Sequence, residues 1–409
     1  MIRPMRAIDT ASGLAAFTGR GAGTDSERRA ARWLAGEVSS PTLDVIVEPF
    51  WCRPNSALAH AWHIALAIAG SLVSVASPIA GVSILVVALV CVIADAMTGI
   101  SPGRRLTPEH ASQNVVAVSA HASPERTRLI LTSNYDAGRV GLAYRDVFRR
   151  SSSFLRRAVH GITPGWLGWL VIVIVGLLVI AVLRLEGHRS QPIGAIQLPP
   201  TVALVLGFAL LLELATADWS PAAGDNATGV ATALALASAL DASPPAHLDV
   251  ELLLTGAGDS EQLGLRRYLR AHRAERGPGN TVVLGIASCG GGTPRWWQSD
   301  GTLVPLRYAK PLRELAARIA GDEPHLGLAP HRARGTGPAF PGRTAGRPAI
   351  TIGCLDQDGL APRSHSRGDT PHAIDPGAVD AAVQFGLLLI DAIDAAVNDA
   401  QGRPSATPA

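Results

Sequence analysis

Charge is the first thing this sequence lacks. Asp, Glu, Lys and Arg together make up 17% of its 409 residues, below the roughly 25% of an ordinary soluble domain. Hydrophobic residues make up 47%, so the chain is not a disordered one. A basic surplus is missing too. The 36 Lys and Arg against 33 Asp and Glu leave a net charge of +3, which argues against a nucleic-acid binder, whose surface must neutralise phosphates. Four cysteines exclude a disulfide-stapled scaffold. No G-x-S-x-G elbow of a serine hydrolase occurs. Gly256-Ala257-Gly258 lacks the third glycine of a dinucleotide loop, because Glu261 stands there. Cys289 has no CxxC partner and reads as a small strand-end residue.

The charge deficit is local. No Asp, Glu, Lys or Arg occurs from Pro54 to Ala94, from Ala158 to Leu183, or from Ser190 to Leu212. A helix needs about 20 apolar residues to cross a hydrocarbon core. The first window holds two such spans, about Ala57–Ala76 and Ile79–Met97, turning at Ser77-Pro78. The second pair is Gly165–Leu183 and Leu198–Ala217, joined by a polar loop at Arg184–Gln197. Trp62, Trp166, Trp169 and Trp219 lie near the span ends, where amphipathic rings settle. His60 and His63 lie near one interface and read as interfacial or packing residues before a proton relay. Glu213 reads as a snorkelling or loop-end residue.

Two hairpins return the chain to the side it left, so segments 1–53, 98–163 and 218–409 share one face. Arg53, Arg104, Arg105, Arg145, Arg149, Arg150, Arg156 and Arg157 flank the spans on that face; the other has Arg184 and Arg189. Positive charge stays inside, which predicts an integral membrane protein of four spans with a cytoplasmic soluble domain. Met1–Gly23 has no apolar stretch of a cleavable signal. Membrane lipid is an expected partner, with the Arg145–Arg157 cluster placed to touch anionic headgroups.

Outside the spans the pattern is mixed. Thr24-Asp25-Ser26-Glu27 is a capping box opening a helix to about Val38. Strands are expected at Leu43–Val47, Asn114–Val118, Arg128–Leu131, Leu248–Leu254, Thr281–Ile286 and Ala349–Gly353. Helices are expected at Ala227–Leu240, Glu261–His272, Leu306–Ile319 and Pro376–Asn398. That alternation predicts an α/β fold, a mixed twisted sheet with helices on both faces, interrupted by the two hairpins. The organisation is 1–53, the start of the soluble domain; 54–97, hairpin 1; 98–163, its central strands; 164–217, hairpin 2; 218–400, its remainder; and 401–409, a disordered tail.

Chemistry in such folds gathers where loops leave the strands. Those loops carry Asn134-Tyr135-Asp136, Gly224-Asp225-Asn226, Asp259-Ser260-Glu261-Gln262, Ser288-Cys289 and Ser364-His365-Ser366. Singly, each has a plain reading: Asp225 as a helix cap, Asp259 and Glu261 as first-turn charges, His365 as a loop histidine. Gly290–Gly292 with Trp296-Trp297 reads as a pocket rim or as core.

Taken in order, these motifs resemble the zinc exopeptidases that include bacterial leucyl aminopeptidases, glutamate carboxypeptidase and the glutaminyl cyclases. The resemblance spans about residues 18–50, 113–140 and 218–396. It implies a zinc aminopeptidase-like fold and a site for two zinc ions. Asp136 matches the residue that orients the first ligand, Asp225 the bridging ligand, Glu261 the general base and His365 the final ligand. Three ligand positions are substituted. Asn134 stands for His, Gln262 for Glu, and Ser288 for Asp, or Ala287 if the register shifts by one.

Two divalent ions about 3.5 Å apart repel by roughly 19 kcal/mol at an effective dielectric near 20. The resembled family offsets this with three ligand carboxylates; one remains here. The cofactor expectation is therefore none or a single zinc, not a pair. Three functions follow: a membrane-anchored pseudopeptidase that binds or scaffolds; a one-metal peptidase or glutaminyl-cyclase-like enzyme with Glu261 as general base; or transport by the four helices. A peptide or protein terminus is the further partner expected of the cleft. No nucleic acid is expected, and the oligomeric state is open.

Overall fold

A computed structural model describes residues 7–120, 123, 125–158, 163–188, 190–259, 261–275 and 277–401, without the side chains of 155–158 and 400–401. The tail beyond Gln401, Ser260, Arg189 and the side chains of Arg156 and Arg157 thus lie outside the described residues.

The chain opens with helices α1 (Ala7–Ala15) and α2 (Asp25–Val38) and strand β1 (Leu43–Cys52). It leaves the sheet for α3 (Ser56–Ala76), α4 (Pro78–Thr98) and the short α5 (Pro102–Arg105), then returns as β2 (His110–Ser119) and β3 (Thr127–Asn134). A second excursion runs through α6 (Asp146–Ala158), α7 (Trp166–Leu185) and α8 (Gln191–Thr216). Then follow α9 (Thr228–Ala242), β4 (Leu248–Thr255), α10 (Leu263–Ala271), β5 (Thr281–Ile286), β6 (Thr293–Asp300) and β7 (Leu306–Arg307). The chain closes with α11 (Lys310–Asp322), β8 (Ala329–Arg332), α12 (Phe340–Thr344), β9 (Ala349–Leu355) and α13 (Pro376–Gln401).

The strands form one mixed sheet in the order β1-β2-β4-β3-β5-β9-β6-β7, with β8 beside β6. Strands β4, β3, β5 and β9 are parallel neighbours, so the loops after them open on one edge. Alternation along the strands sorts the layers. Val115, Ala117, Leu129, Leu131, Leu252 and Leu254 bury against α1, α2, α9, α11 and α13. Val116, Ile130 and Leu253 face α10 and the segment entering α12. The expected α/β architecture with helices on both faces is the one observed.

Three local expectations differ. Leu306 and Arg307 do not begin a helix; they pair with Asp300 and Ser299 as an edge strand, and the helix waits for Lys310, with Pro311 in its first turn. Trp296 and Trp297 lie in β6 and are buried on opposite faces of the sheet, so they are core and not a rim. The polar loop at Arg184–Gln197 is helix from Gln191 onward. Its glutamine is buried: the Gln197 amide donates to Ser71 O at 2.7 Å and accepts from Arg184 at 2.8 Å.

Helices α3, α4, α7 and α8 are each long and apolar enough to cross a membrane. They pack as a bundle around Ile64, Leu85, Val92, Leu167, Ile174 and Leu204. Outward-facing Leu72, Ile79, Val90, Ile172 and Leu206 stay exposed, so the bundle is apolar outside as well as inside. Gly81 lets α4 approach α3 closely, because a Cβ there would lie 2.4 Å from Ser74 Cα.

Candidate functional site

Five segments meet at the edge where the parallel strands end. They are the β3 terminus at Asn134, the turn at Gly224-Asp225 before α9, the loop 256–262 after β4, Ser288 after β5, and the loop 356–370 after β9. Among the described residues, the non-glycine residues with left-handed backbone are Ala222, Asn226, Ala257, Glu261, Gln262, Arg363 and His365. All lie in these loops, and such strain persists only where surroundings hold it.

Buried charge does the holding. Arg20 is fully buried and donates to the carbonyls of Tyr135, Pro221 and Ala222 at 3.0, 2.6 and 2.6 Å. Asp136 accepts the backbone N–H of Gly258 at 2.8 Å and of Asp259 at 3.1 Å. Asp369 does the same for Gly224 and Asp225, at 2.7 and 2.9 Å. Burial pushes the Asp369 carboxyl up to about 7 and the Asp136 carboxyl well above its usual range, the latter helped by Glu27 and Asp259. Glu27 ties α2 to the same loops. It accepts from Gly23 N at 2.6 Å, Ser112 Oγ at 2.8 Å and Ala257 N at 3.1 Å. Half of the capping box is present: Thr24 Oγ1 accepts from Glu27 N, while the glutamate accepts from Gly23 N, one residue before the cap, and from the loop after β4, and Thr24 N bonds Gly21 O instead.

The residues singled out from sequence divide into two groups. His365 Nδ1 donates to Arg139 O at 3.0 Å, which leaves Nε2 facing Asp259 at 3.3 Å and Asp225 at 3.8 Å. Burial alone would lower the His365 pKa; the two aspartates outweigh it and raise it. Tyr144 stacks on the imidazole with ring centroids 4.0 Å apart. Asp225 also accepts from Ser364 Oγ at 2.5 Å. The three substituted positions carry neutral groups. Gln262 Nε2 lies 3.5 Å from Asn134 Oδ1 and donates to Thr336 O at 3.2 Å. Ser288 Oγ donates to Gly224 O at 2.8 Å.

Glu261 is turned elsewhere. Its carboxylate accepts from Arg104 Nη2 at 3.2 Å and meets His60 Nε2 at 3.1 Å, both from the first helical excursion. Burial pushes its pKa up, but the His60 hydrogen bond and the Arg104 charge outweigh that and hold it below the usual range. Arg104 also grips Asp95 through two bonds, at 2.8 and 2.6 Å. His63 continues the network to Ser101 Oγ at 3.0 Å. Both histidines are buried in it. His60, Asp95 and Glu261 are a group whose candidate ligand atoms lie within 4.8 Å of one another. The guanidinium of Arg104 already stands between the two carboxylates. Sequence reasoning missed Asp259 as the partner of His365, and the pairing of His60 with Glu261 across 201 positions. Glu213 caps the far end of the excursion, accepting Leu142 N at 3.1 Å.

Residues 213–389 match the model of peptidase family M28. That match takes in the turn before α9, the strands β4, β5 and β9, and the loops that follow them. The fold is shared with a zinc aminopeptidase from Bacillus subtilis, at a TM-score of 0.54 and 12% identity, over 95% of this chain and 95% of that one. It is shared too with LapB from Legionella pneumophila, at 0.53 and 10%, over 96% and 73%. A third is the glutaminyl cyclase of Tannerella forsythia, at 0.51 and 14%, over 96% and 99%. At such identity these likenesses concern the fold alone. No curated protein matches the chain. In the resemblance drawn from the sequence, Asp136, Asp225, Glu261 and His365 stand at kept positions and Asn134, Gln262 and Ser288 at substituted ones.

Proposed function

We propose that this is a membrane-anchored pseudopeptidase, an M28 domain whose cleft binds without hydrolysing. The observation that carries the reading is the amide pair. At two positions where the family places metal ligands, Asn134 and Gln262 set side-chain amides 3.5 Å apart. Neutral amides neither offset the repulsion of paired zinc ions nor match the His, Cys or carboxylate donors of catalytic zinc. The remaining anionic donors do not fit the ion pair either. Asp225 and Asp259 flank His365 as partners of its ring, and Glu261, the family's general base, is engaged by Arg104 and His60. No step through a metal is drawn from such a donor set. The cleft retains a binding surface for a peptide or protein terminus. Gln262 Oε1 is buried and has no hydrogen-bond partner among the described residues, and a ligand N–H would satisfy it. The four-helix bundle anchors the domain, with its arginine-rich side in the cytoplasm.

The test is metal content. Protein purified in detergent and dialysed against micromolar zinc is expected to hold far less than one ion per chain, and to leave aminoacyl and glutaminyl reporter peptides intact. Restoring the family residues together, as Asn134→His, Gln262→Glu and Ser288→Asp, is expected to raise bound zinc. One observation favours a second reading, a one-metal enzyme. The Nδ1 bond to Arg139 presents His365 Nε2 as a metal ligand would be presented. Near-stoichiometric zinc in the wild type, lost in His365→Ala, would establish that reading and sink the first. A C-terminal reporter fusion active outside the cytoplasm would overturn the orientation.

A further inference from the structure

At the Thr98 end of α4, where the chain leaves the bundle, a cavity of about 210 Å³ opens between α4, α5 and α10. Six arginines line it, Arg53, Arg104, Arg105, Arg266, Arg267 and Arg270, against Glu109 as the acid among its lining residues. Much of that charge has local work. Arg104 serves Asp95 and Glu261. Arg266 donates to Met97 O at 2.9 Å and Ala96 O at 3.4 Å, covering the negative end of the α4 dipole. Arg267 donates to Trp51 O at 2.8 Å. Arg53 reaches the carbonyls of Arg105 and Thr107 and lies 3.7 Å from Glu109. Arg105 and Arg270 are exposed, and their guanidinium groups have no partner among the described residues. Burial, with Arg104 and Arg270 as charged neighbours, lowers the Arg266 pKa, although Glu261 opposes this. The cavity therefore holds positive charge that no protein anion balances.

We propose that this cavity binds a phosphate-bearing anion, with Arg105 and Arg270 as its unspent donors. Guanidinium forks match phosphate oxygens in geometry as well as charge. The location supplies one source of such a group. If α4 crosses a bilayer, its Thr98 end lies at headgroup depth, beside Gly99, Ile100 and Leu263 of the cavity wall. A lipid source thus rests on the membrane reading above; a soluble phosphate does not. Because Arg104 and Arg266 both also bond Glu261, a bound anion would bear on the loop that carries Gln262.

The experiment uses the full chain in nanodiscs of phosphatidylcholine, with or without phosphatidylglycerol, and reads retained lipid by native mass spectrometry. Inorganic phosphate is titrated calorimetrically in the phosphatidylcholine discs. Arg105→Ala/Arg270→Ala should weaken capture by about tenfold or more, while Arg105→Lys/Arg270→Lys restores part of it. Arg29→Ala/Arg32→Ala, which removes equal charge from the exposed side of α2, should leave capture unchanged. Arginine-dependent retention of phosphatidylglycerol assigns a lipid; arginine-dependent binding of phosphate without lipid preference assigns a soluble anion. Equal capture by wild type and the Arg105/Arg270 alanine variant in both arms overturns the site. A chain that stays soluble and monodisperse without detergent would overturn the membrane reading instead, and phosphate titration in plain buffer would still test the cavity.

Discussion

Glu27 shows how far one side chain can reach in this molecule. Its helix-capping role was legible in the sequence, because the Thr-x-x-Glu spacing closes a local ring. Its bonds to Ser112 and Ala257 were not, since they join residues far apart in the chain. Burial pushes its carboxyl from 4.5 up to about 7. Between those values an unfolded chain has released the proton that the folded protein still holds. Stability should therefore be full below about pH 4.5, fall as pH rises toward 7, and level off above. The span is worth roughly 3 kcal/mol. Asp300 and Asp369, also held near 7 by burial, add losses of the same sign. Denaturant midpoints across this range should show the decline, and Glu27→Gln should make it shallower; an unchanged slope would refute a protonated Glu27. Glu261 behaves oppositely, being ionised and paired. The Glu261→Gln variant should lower the unfolding free energy by the ~3–5 kcal/mol typical of a broken buried ion pair, without changing bound metal. That Glu261 turns to Arg104 goes with left-handed backbone at 261 and 262, which no residue pattern announced.

At the level of elements, the parallel strands were readable because runs such as Arg128–Leu131 and Leu248–Leu254 are apolar and bounded by turns. Edge elements were harder. Strand β7 has two residues, too few for any periodicity, and its Leu306 was absorbed into the helix behind it. The start of α8 was missed because Gln191 and Gln197 read as a loop, and the bond that buries Gln197 goes to Ser71, far off in the chain. The bundle shows the same dependence on partners. Leucine at Gly81 would drive a side chain into Ser74 and part α3 from α4, whereas nothing lies within 4 Å of a Cβ at Gly176. Gly81→Leu should cost about 1–3 kcal/mol, seen as a lower unfolding temperature in detergent, while Gly176→Leu should cost little. Equal effects would mean that the α3–α4 contact does not hold the bundle.

For the whole molecule, the hairpins were legible as uncharged windows, but their points of insertion were not. Cys52 pairs directly with His110 across β1 and β2, so the first excursion replaces the turn of an ordinary β-hairpin. Arg139 bridges Trp219, and Val140 N donates to Asp218 O at 2.8 Å, so the second leaves and returns through another closed neck. Strands from before, between and after the excursions share one sheet, so each excursion leaves from the sheet and returns to it. The sheet and both helical layers then need no residue of the bundle. A chain with 54–108 and 141–217 each replaced by a short Asn-Gly or Gly-Ser turn should fold as a detergent-free α/β domain with a single cooperative unfolding transition. What it forfeits is specific: Arg104, His60 and Asp95 vanish from around Glu261, and Tyr144 from beside His365. The shortened chain should accordingly exchange amide hydrogens faster in loop 256–262 and 356–370 than the full chain does, with α9 and β3–β5 unchanged. Protection lost throughout the sheet would mean that the bundle is part of the folding unit and not an insertion into it.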